Sequence, residues 1–331
     1  MPKLQDLTGV IAASELRSLS KPKEQGALAQ KQDLVGLRDA LTFPAAHAEI
    51  TTELVITEQL LNDMIPVRIY RQKTLVDRKL PTLIYLHGGA FIGGSMSSAN
   101  TDAICRTFAG NAPIQVVNVE YRLAPEHPYP AGLMDCYQVV QILAQQAETY
   151  QVDVDKLWIS GDSAGGSLAL TTAILDHSYY QTNFVKKILA YYPDVDLANH
   201  GQGATWNPEN IFVKDPQQRV LYTNLINQIS KLQPLVENLY GGATANLKNP
   251  LISPLYASAA MLQQLPPLML IYGEFDMLRQ QDEAFVQKLA EINRKPQVKI
   301  YPGLLHAFID KVGALPEAQA AILAGLAWLQ Q

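Results

Sequence analysis

Short runs rich in aliphatic and aromatic residues alternate along the chain with longer segments in which apolar residues recur at helical spacing. The short runs predict β-strands. A regular alternation of strands and helices is typical of an α/β fold, with a mostly parallel central sheet and helices on both faces. The predicted strands are Val67–Tyr70, Leu83–Leu86, Val116–Val119, Leu157–Ile159, Ile188–Tyr192, Leu268–Tyr272 and Val298–Tyr301.

A long insertion separates the predicted strands that end near Tyr192 and begin near Leu268. Loops of this length in compact domains usually act as lids or contain secondary structure of their own. From Tyr222 onward, apolar residues recur near helical spacing and predict an amphipathic helix. We therefore expect an N-terminal helical cap segment over residues 1–50, an α/β core over 51–195 and 256–331, and an inserted cap segment over 196–255.

Composition and charge narrow the function classes. With 48% hydrophobic and 17% charged residues in a chain of 331, a large core can be buried. The net charge of −5 gives no basic footprint, so we expect no nucleic-acid partner. Cys105 and Cys136 lack the spacing and neighbours of a zinc site.

Membrane insertion and export are not expected either. The longest apolar run, Ala320–Leu329, is shorter than the about 20 residues that span a bilayer. The N-terminus has no sustained apolar core of the kind that a secretory signal needs. The sequence therefore predicts a cytoplasmic protein with no membrane span.

The pentapeptide GDSAG, Gly161–Gly165, follows the predicted strand Leu157–Ile159. In G-x-S-x-G motifs the serine lies on a sharp strand-to-helix turn, whose crowded backbone requires glycine on either side. This pattern makes Ser163 a candidate nucleophile for acyl transfer. The alternative interpretation is a small Gly/Ser turn that only caps a helix.

A second glycine motif, HGGAF at His87–Phe91, follows the predicted strand Leu83–Leu86. Acyl transfer passes through a tetrahedral oxyanion, which needs backbone N–H donors aimed at the developing charge. The loop after this strand is where half of such an oxyanion hole is expected. We assign the hole to the amides of Gly88, Gly89 and Ala164. The alternative is that the glycines form only a flexible loop.

A serine nucleophile also needs a base and an acid that orients it, in the chain order Ser, Asp or Glu, His. Asp276 follows the predicted strand Leu268–Tyr272 and is our candidate acid. His306 follows the last predicted strand, Val298–Tyr301, and is our candidate base.

Three alternatives bear on the acid. Asp276 precedes a helical run, so on its own it could be only a helix N-cap. Glu274 is a competitor in the same loop. Asp282 is another, but it falls inside the following helix and should point away from the strand ends.

These residues, taken with three further motifs, resemble the hormone-sensitive-lipase branch of the α/β-hydrolases, which corresponds to bacterial family IV of the esterases. The further motifs are YRLAPEHPYPA at Tyr121–Ala131, SPL at Ser253–Leu255 and the ending His306-x-Phe308. The proline-dense segment restricts the backbone to extended and turn conformations. Its charged residues either reach the site or form structural ion pairs, and we favour ion pairs; they are Arg122, Glu126 and His127.

The resemblance implies an α/β-hydrolase fold with a helical cap, and a serine carboxylesterase that hydrolyses short- to medium-chain esters with Ser163, Asp276 and His306. The cycle requires no metal or cofactor. Trp206 and Phe212 of the insertion are candidate substrate-binding residues. The partner is a small-molecule ester, and a homodimer is expected from related bacterial esterases. Amidase or lactonase chemistry with the same triad, or a catalytically weak ligand-binding homologue, remain as alternatives.

Overall fold

The sheet confirms the α/β fold expected from the sequence. The computed structural model describes residues 7–19, 34–40, 50–199, 207–242 and 245–331. Within them, eight strands form one sheet in the order β1-β2-β4-β3-β5-β6-β7-β8. The β1–β2 and β2–β4 pairs are antiparallel, and every other neighbouring pair is parallel. The strands are β1 (Leu54–Leu61), β2 (Ile65–Gln72), β3 (Leu80–Leu86), β4 (Gln115–Val119), β5 (Val152–Asp162), β6 (Lys187–Tyr191), β7 (Leu268–Gly273) and β8 (Gln297–Tyr301).

The helices that cover this sheet lie between the strands in sequence. Helix α3 packs against α10, and α4 packs against α6 and β5. The described α-helices are α1 (Ala13–Leu19), α2 (Leu34–Ala40), α3 (Ala99–Asn111), α4 (Ala131–Gln145), α5 (Ala147–Tyr150), α6 (Ala164–Ile174), α7 (Pro216–Gly241), α8 (Ala259–Gln264), α9 (Arg279–Glu291) and α10 (Pro316–Leu329).

The central strands are buried on both faces, whereas the first strand is not. Strands β4 and β7 are buried at every position, as expected for strands with helices on both sides. Strand β1 pairs only with β2 at the edge of the sheet, and its apolar residues Val55 and Leu60 are exposed. Our sequence analysis did not predict β1, in which Leu54 and Ile56 are only half-buried and the four positions 57–60 are exposed.

The amphipathic helix predicted from Tyr222 onward is part of α7, which begins six positions earlier. Asp215 caps its N-terminus by accepting hydrogen bonds from the amides of Gln217 at 2.7 Å and Gln218 at 3.1 Å. Pro216 at the first helical position has no N–H that would need a partner.

The described parts of the predicted cap segments, which include α1, α2 and α7, contact loops that follow strands of the core. A small buried cluster joins the N-terminal segment, α7 and the segment before it to the loops after β7 and β8; its members are Ile11, Ile211, Val213, Tyr222, Ile226, Phe275 and Leu305. Tyr240 near the end of α7 stacks on Phe91 after β3, with ring centroids 4.0 Å apart. The division into core and cap at residues 50, 195 and 255 stays a prediction.

Candidate active site

Ser163 occupies a sharp turn between β5 and α6. Its φ is +53° and its ψ is −119°, a conformation that places the side chain at the tip of the turn. The turn packs closely against the end of β3, since a Cβ on Gly165 would lie 2.0 Å from the carbonyl oxygen of Leu86. Glycine is therefore the residue that this contact admits.

The candidate acid, base and nucleophile meet at the carboxyl ends of their strands. His306 Nε2 lies 2.9 Å from Ser163 Oγ. The other ring nitrogen, Nδ1, lies 2.9 and 3.0 Å from the two carboxylate oxygens of Asp276. Asp276 is fully buried and also accepts a hydrogen bond of 2.8 Å from the amide of Leu278. The three side chains thus form one hydrogen-bonded line that ends at a hydroxyl group.

Glu274, the competitor in the same loop, performs a different task. Its carboxylate accepts hydrogen bonds from Gly9 N at 2.7 Å, Thr8 Oγ1 at 3.0 Å and Gly303 N at 2.8 Å. Glu274 therefore ties the N-terminal segment to the loops after β7 and β8.

Asp282, the other competitor, lies in α9 as expected, but it does not face solvent. Its carboxyl group is fully buried and makes no hydrogen bond within the described part of the chain. Burial, and then the nearby negative charge of Asp276, raise the pKa of Asp282 well above its ordinary value. Asp282 is therefore part of the electrostatic surroundings of Asp276, which we did not expect.

Two further residues surround the His306 ring and its backbone. Tyr192, with φ +36°, packs edge-on against the imidazole at a centroid distance of 4.7 Å. Ala307 has φ +61°, in the left-handed region that glycine adopts more readily. Sequence analysis did not single out Tyr192, since an aromatic residue at the end of a buried strand is ordinarily a core residue.

The loop after β3, residues 87–94, is named the oxyanion loop below. Gly89, Ala90 and Phe91 all have positive φ, at +125°, +54° and +62°. The carbonyl of Gly89 accepts hydrogen bonds from Ile92 N at 3.1 Å and Gly93 N at 2.8 Å. A Cβ on Gly89 would lie 2.2 Å from the Gly93 carbonyl oxygen. The loop therefore has a tight, specified shape, and it is not merely a flexible glycine segment.

Asp162, the residue before the serine, connects the two glycine motifs. Its Oδ1 accepts hydrogen bonds from the Gly88 amide at 3.1 Å and from Tyr85 Oη at 2.6 Å. Burial raises the pKa of this carboxyl group. The Gly88 N–H is therefore already engaged, contrary to our expectation that it faces an oxyanion. Among the described residues, the amides of Gly89, Ala90 and Ala164 donate no hydrogen bond.

His87, the first residue of the oxyanion loop, contacts Tyr121 through both its ring and its backbone. Its ring stacks on Tyr121 at a centroid distance of 4.3 Å, and Tyr121 Oη donates a 2.7 Å hydrogen bond to the His87 carbonyl. Burial lowers the pKa of His87, so burial favours its neutral form. These contacts fit a role in holding the loop.

Two of the three charged residues of the proline-dense segment, Arg122 and Glu126, form ion pairs as we favoured. Arg122 pairs with Asp135, with Nη2 and Oδ1 2.7 Å apart. Glu126 pairs with Arg38 of α2 at 2.6 Å. His127 is exposed. The Ala124–Pro125 and Tyr129–Pro130 peptide bonds of this segment are cis.

The structure describes one of the two candidate substrate-binding residues. Trp206 lies outside the described residues. Phe212 is 69% exposed, and its ring lies beside Gly9.

Across residues 7–19, 34–40, 50–199, 207–242 and 245–331, no cluster of three or more His, Cys, Asp or Glu side chains could hold a metal ion. Cys105 and Cys136 are buried free thiols. None of the described helices combines the length and apolarity that a bilayer crossing needs.

Comparison with known proteins gives consistent results. A family model described as α/β hydrolase fold matches residues 83–310. The chain is 28% identical over 269 residues to esterase LipI of Mycobacterium tuberculosis, covering 80% of this chain and 78% of that protein. It is 29% identical over 269 residues to the ethyl acetate hydrolase of Pseudomonas putida, covering 81% and 78%. A solved esterase structure from Pyrobaculum calidifontis superposes with a TM-score of 0.74 at 26% identity, covering 97% of this chain and 98% of that one.

Proposed function

The chain belongs to the α/β-hydrolase fold family, and from that premise we propose that it is a serine carboxylesterase with Ser163 as its nucleophile. The observation that carries the proposal is the hydrogen-bonded line from Asp276 through His306 to Ser163. The esterase names of the relatives support the same reaction class.

In the first half-reaction, His306 Nε2 takes the proton of Ser163 Oγ as that oxygen attacks the ester carbonyl. The buried carboxylate of Asp276 accepts the hydrogen bond from Nδ1–H. It thereby selects the tautomer with a free Nε2 lone pair and stabilises the imidazolium that forms. The imidazolium then protonates the leaving alcohol, and an acyl group remains on Ser163.

The negative charge of each tetrahedral intermediate rests on backbone amides. We assign this role to Gly89 and Ala90 of the oxyanion loop and to Ala164 at the first position of α6, because these amides donate no other hydrogen bond among the described residues. Gly88 then has an anchoring role, since its amide binds Asp162. Each donor of such a hole typically contributes roughly 10²- to 10³-fold in rate.

In the second half-reaction, His306 activates a water molecule, which attacks the acyl-enzyme through the same geometry. The acid leaves, and the proton returns to Ser163. In both half-reactions Ser163 forms and breaks the bond to the acyl group, His306 carries the proton, and the backbone amides stabilise the oxyanion.

The substrates that we propose are esters with short to medium acyl chains. The name of the Pseudomonas putida relative, ethyl acetate hydrolase, is consistent with a small acyl group. Amides and lactones pass through the same tetrahedral chemistry and are alternative substrates to be assayed beside esters. A cytoplasmic location, a homodimer and the substrate contacts of Trp206 and Phe212 stay predictions.

The test is hydrolysis of p-nitrophenyl esters from acetate to dodecanoate by the wild type, Ser163→Ala and His306→Ala. We expect a maximum at short acyl chains and loss of activity in both variants. A wild type that is inactive on every ester would contradict the proposal and favour a ligand-binding role. Activity retained by Ser163→Ala would contradict the assignment of the nucleophile.

A further inference from the structure

The oxyanion loop holds an unfavourable backbone conformation that needs support from its surroundings. Ala90 and Phe91 both carry a Cβ and both have positive φ, at +54° and +62°. Such residues persist only where neighbouring contacts specify them. Because the Ala90 amide is one of the proposed oxyanion donors, the contacts that hold this turn also set the direction of that N–H.

The core supplies part of this support. The Ala124 amide donates a 3.0 Å hydrogen bond to the Phe91 carbonyl. The next carbonyl, that of Ile92, accepts instead from outside the core: Arg38 Nε donates to it at 2.6 Å. Arg38 lies in α2 of the N-terminal segment, 54 positions earlier in the chain.

The same guanidinium group reaches the proline-dense segment. Its Nη2 donates to the Ala124 carbonyl at 3.2 Å, and Nη1 and Nη2 lie 3.0 and 2.6 Å from the carboxylate oxygens of Glu126. The planar, multiply donating guanidinium suits such a junction, and a lysine ammonium cannot reproduce its fixed geometry. Arg38 therefore joins α2, the oxyanion loop and the proline-dense segment at one point.

The contacts to carbonyl groups, and not the ion pair, are the specific part of this junction. The Glu126 side chain is 53% exposed, so its attraction to Arg38 is weakened by solvent and salt. The Ile92 carbonyl, in contrast, lies two residues from the proposed donor Ala90.

We propose that Arg38 is a positioning residue for oxyanion stabilisation, acting through the Ile92 carbonyl on the peptide unit that carries the Ala90 N–H. This inference rests on the proposed esterase function. The Ile92–Gly93 peptide, whose carbonyl Arg38 binds, also donates its Gly93 N–H to the Gly89 carbonyl at 2.8 Å, and that carbonyl shares a peptide unit with the Ala90 N–H. Without the Arg38 contact this peptide is held less firmly, and the Ala90 N–H moves out of line with the oxyanion. The ground-state ester, whose carbonyl carries little charge, is affected much less than the transition state.

The experiment compares Arg38→Ala, Arg38→Lys and Glu126→Gln with the wild type. Each protein is assayed for kcat and KM with p-nitrophenyl acetate, and for inhibition by an alkyl trifluoromethyl ketone, which forms a tetrahedral adduct with the serine. Glu126→Gln is the matched control, because it weakens the ion pair and leaves the Arg38 contacts to Ile92 and Ala124. The thermal unfolding midpoint of each variant shows whether it is folded.

For Arg38→Ala we expect kcat to fall about 10-fold or more, with KM changed less than about two-fold. The inhibition constant of the ketone should rise by the same factor as kcat falls, since both report on the oxyanion. Arg38→Lys should recover only part of the loss, and Glu126→Gln should stay within about two-fold of the wild type. If Arg38→Ala does not fold, Arg38→Lys carries the same comparison.

Three results would overturn the inference while leaving the esterase proposal intact. They are an unchanged kcat in Arg38→Ala, a loss confined to KM with unchanged ketone affinity, and a loss in Glu126→Gln as large as that in Arg38→Ala. A wild type without esterase activity would overturn the proposed function and this inference together.

Discussion

The loops at the carboxyl ends of β3, β5, β7 and β8 differ from the predicted cap segments that contact them. The difference lies in how far the surrounding atoms restrict the residue type at each position. At the Ser163 turn, an added Cβ on Gly165 would lie 2.0 Å from a backbone oxygen. On the cap side, Phe212 and Val220 are large apolar residues that remain 69% and 60% exposed. The contact at Gly165 admits one residue type, whereas the exposed positions of Phe212 and Val220 admit many.

This difference indicates that the loops and the predicted cap segments have different functions. The strand-end loops set the positions of reacting atoms, for which errors of about 1 Å are costly. Helix α7 contacts Phe91 after β3 through Tyr240, and it contacts Asp194 after β6 through Gln233. We therefore expect substitutions of loop residues that hold the reacting groups to abolish chemistry. Substitutions in the predicted cap segments away from their contacts with these loops should alter binding and stability.

The sharpest test of this comparison is the pair Asp276→Asn and Glu274→Gln, two residues apart in one loop. Asp276→Asn should lower kcat by roughly 10³- to 10⁴-fold, because an amide favours the wrong imidazole tautomer. Glu274→Gln should lower the thermal midpoint but keep kcat within about 10-fold, since Glu274 holds the N-terminal segment. Equal losses of kcat in the two folded variants would contradict the assignment of the acid.

A glycine pair compares the oxyanion loop with the end of the cap helix. Gly89 and Gly242 both have positive φ, at +125° and +70°. A Cβ on Gly89 would lie 2.2 Å from a carbonyl oxygen, whereas a Cβ on Gly242 would meet no described atom within 4 Å beyond its chain neighbours and its own helix. Gly89→Ala should lower the free energy of unfolding by about 3 kcal/mol or more and abolish esterase activity.

Gly242→Ala should cost about 2 kcal/mol, because φ +70° with ψ 174° is a conformation that glycine adopts almost alone, and activity should be retained. Urea unfolding of both variants measures the difference. Similar unfolding free energies for the two variants would contradict the prediction that steric crowding at Gly89 adds to the cost of its backbone conformation.

Asp194, which follows β6 and contacts α7, should make the stability of the protein depend on pH. Burial raises its pKa from 3.8 to about 6, although Gln233 of α7 donates a 3.3 Å hydrogen bond to Oδ2. An acid with a raised pKa in the folded state binds its proton more tightly there, so stability falls as pH rises from about 4 to 6. This group should lower the free energy of unfolding by up to about 3 kcal/mol above pH 6.

Asp194→Asn should remove that part of the pH dependence and be more stable than the wild type at pH 7.5. Thermal unfolding midpoints from pH 4.5 to 8 measure it. Parallel curves for the two proteins would show that Asp194 is solvated or paired in the folded state.

The smallest effect is expected at the cap surface. Phe212→Ala should change the free energy of unfolding by less than about 1 kcal/mol, because the ring is largely exposed. If the ring gains burial only against substrate, KM for longer acyl esters should rise a few-fold. Val220→Ala on α7 is the control, and an unchanged acyl-length preference in Phe212→Ala would remove Phe212 from the substrate contacts.

The sequence predicts the features that depend on local patterns better than those that depend on contacts between distant segments. Seven of the eight described strands, and the chain order of Ser163, Asp276 and His306, follow from apolar runs and motifs whose spacing the turns require. Strand β1 does not follow from the sequence, because most of its positions at the edge of the sheet are exposed and the buried positions are few. The sequence motif places the oxyanion donors of the loop at Gly88 and Gly89, whereas the amides without a hydrogen bond among the described residues are those of Gly89 and Ala90. The motif does not reveal that the Gly88 N–H binds the Asp162 side chain.

Contacts between distant segments account for most of the remainder. The contact from Arg38 to Ile92 joins positions with no common pattern, so periodicity cannot reveal it. The buried state of Asp282 likewise depends on how α9 packs near Asp194 and Asp276, and helical position alone suggested a different orientation.

The central claim is that Ser163 is a nucleophile activated by His306 and Asp276. It is tested most directly by treating the wild type, His306→Ala and Asp276→Asn with a fluorophosphonate, followed by intact mass measurement and peptide mapping. The account predicts one adduct per chain on Ser163 in the wild type, and greatly slowed labelling in both variants. An adduct on another residue, or labelling of His306→Ala at the wild-type rate, would contradict it.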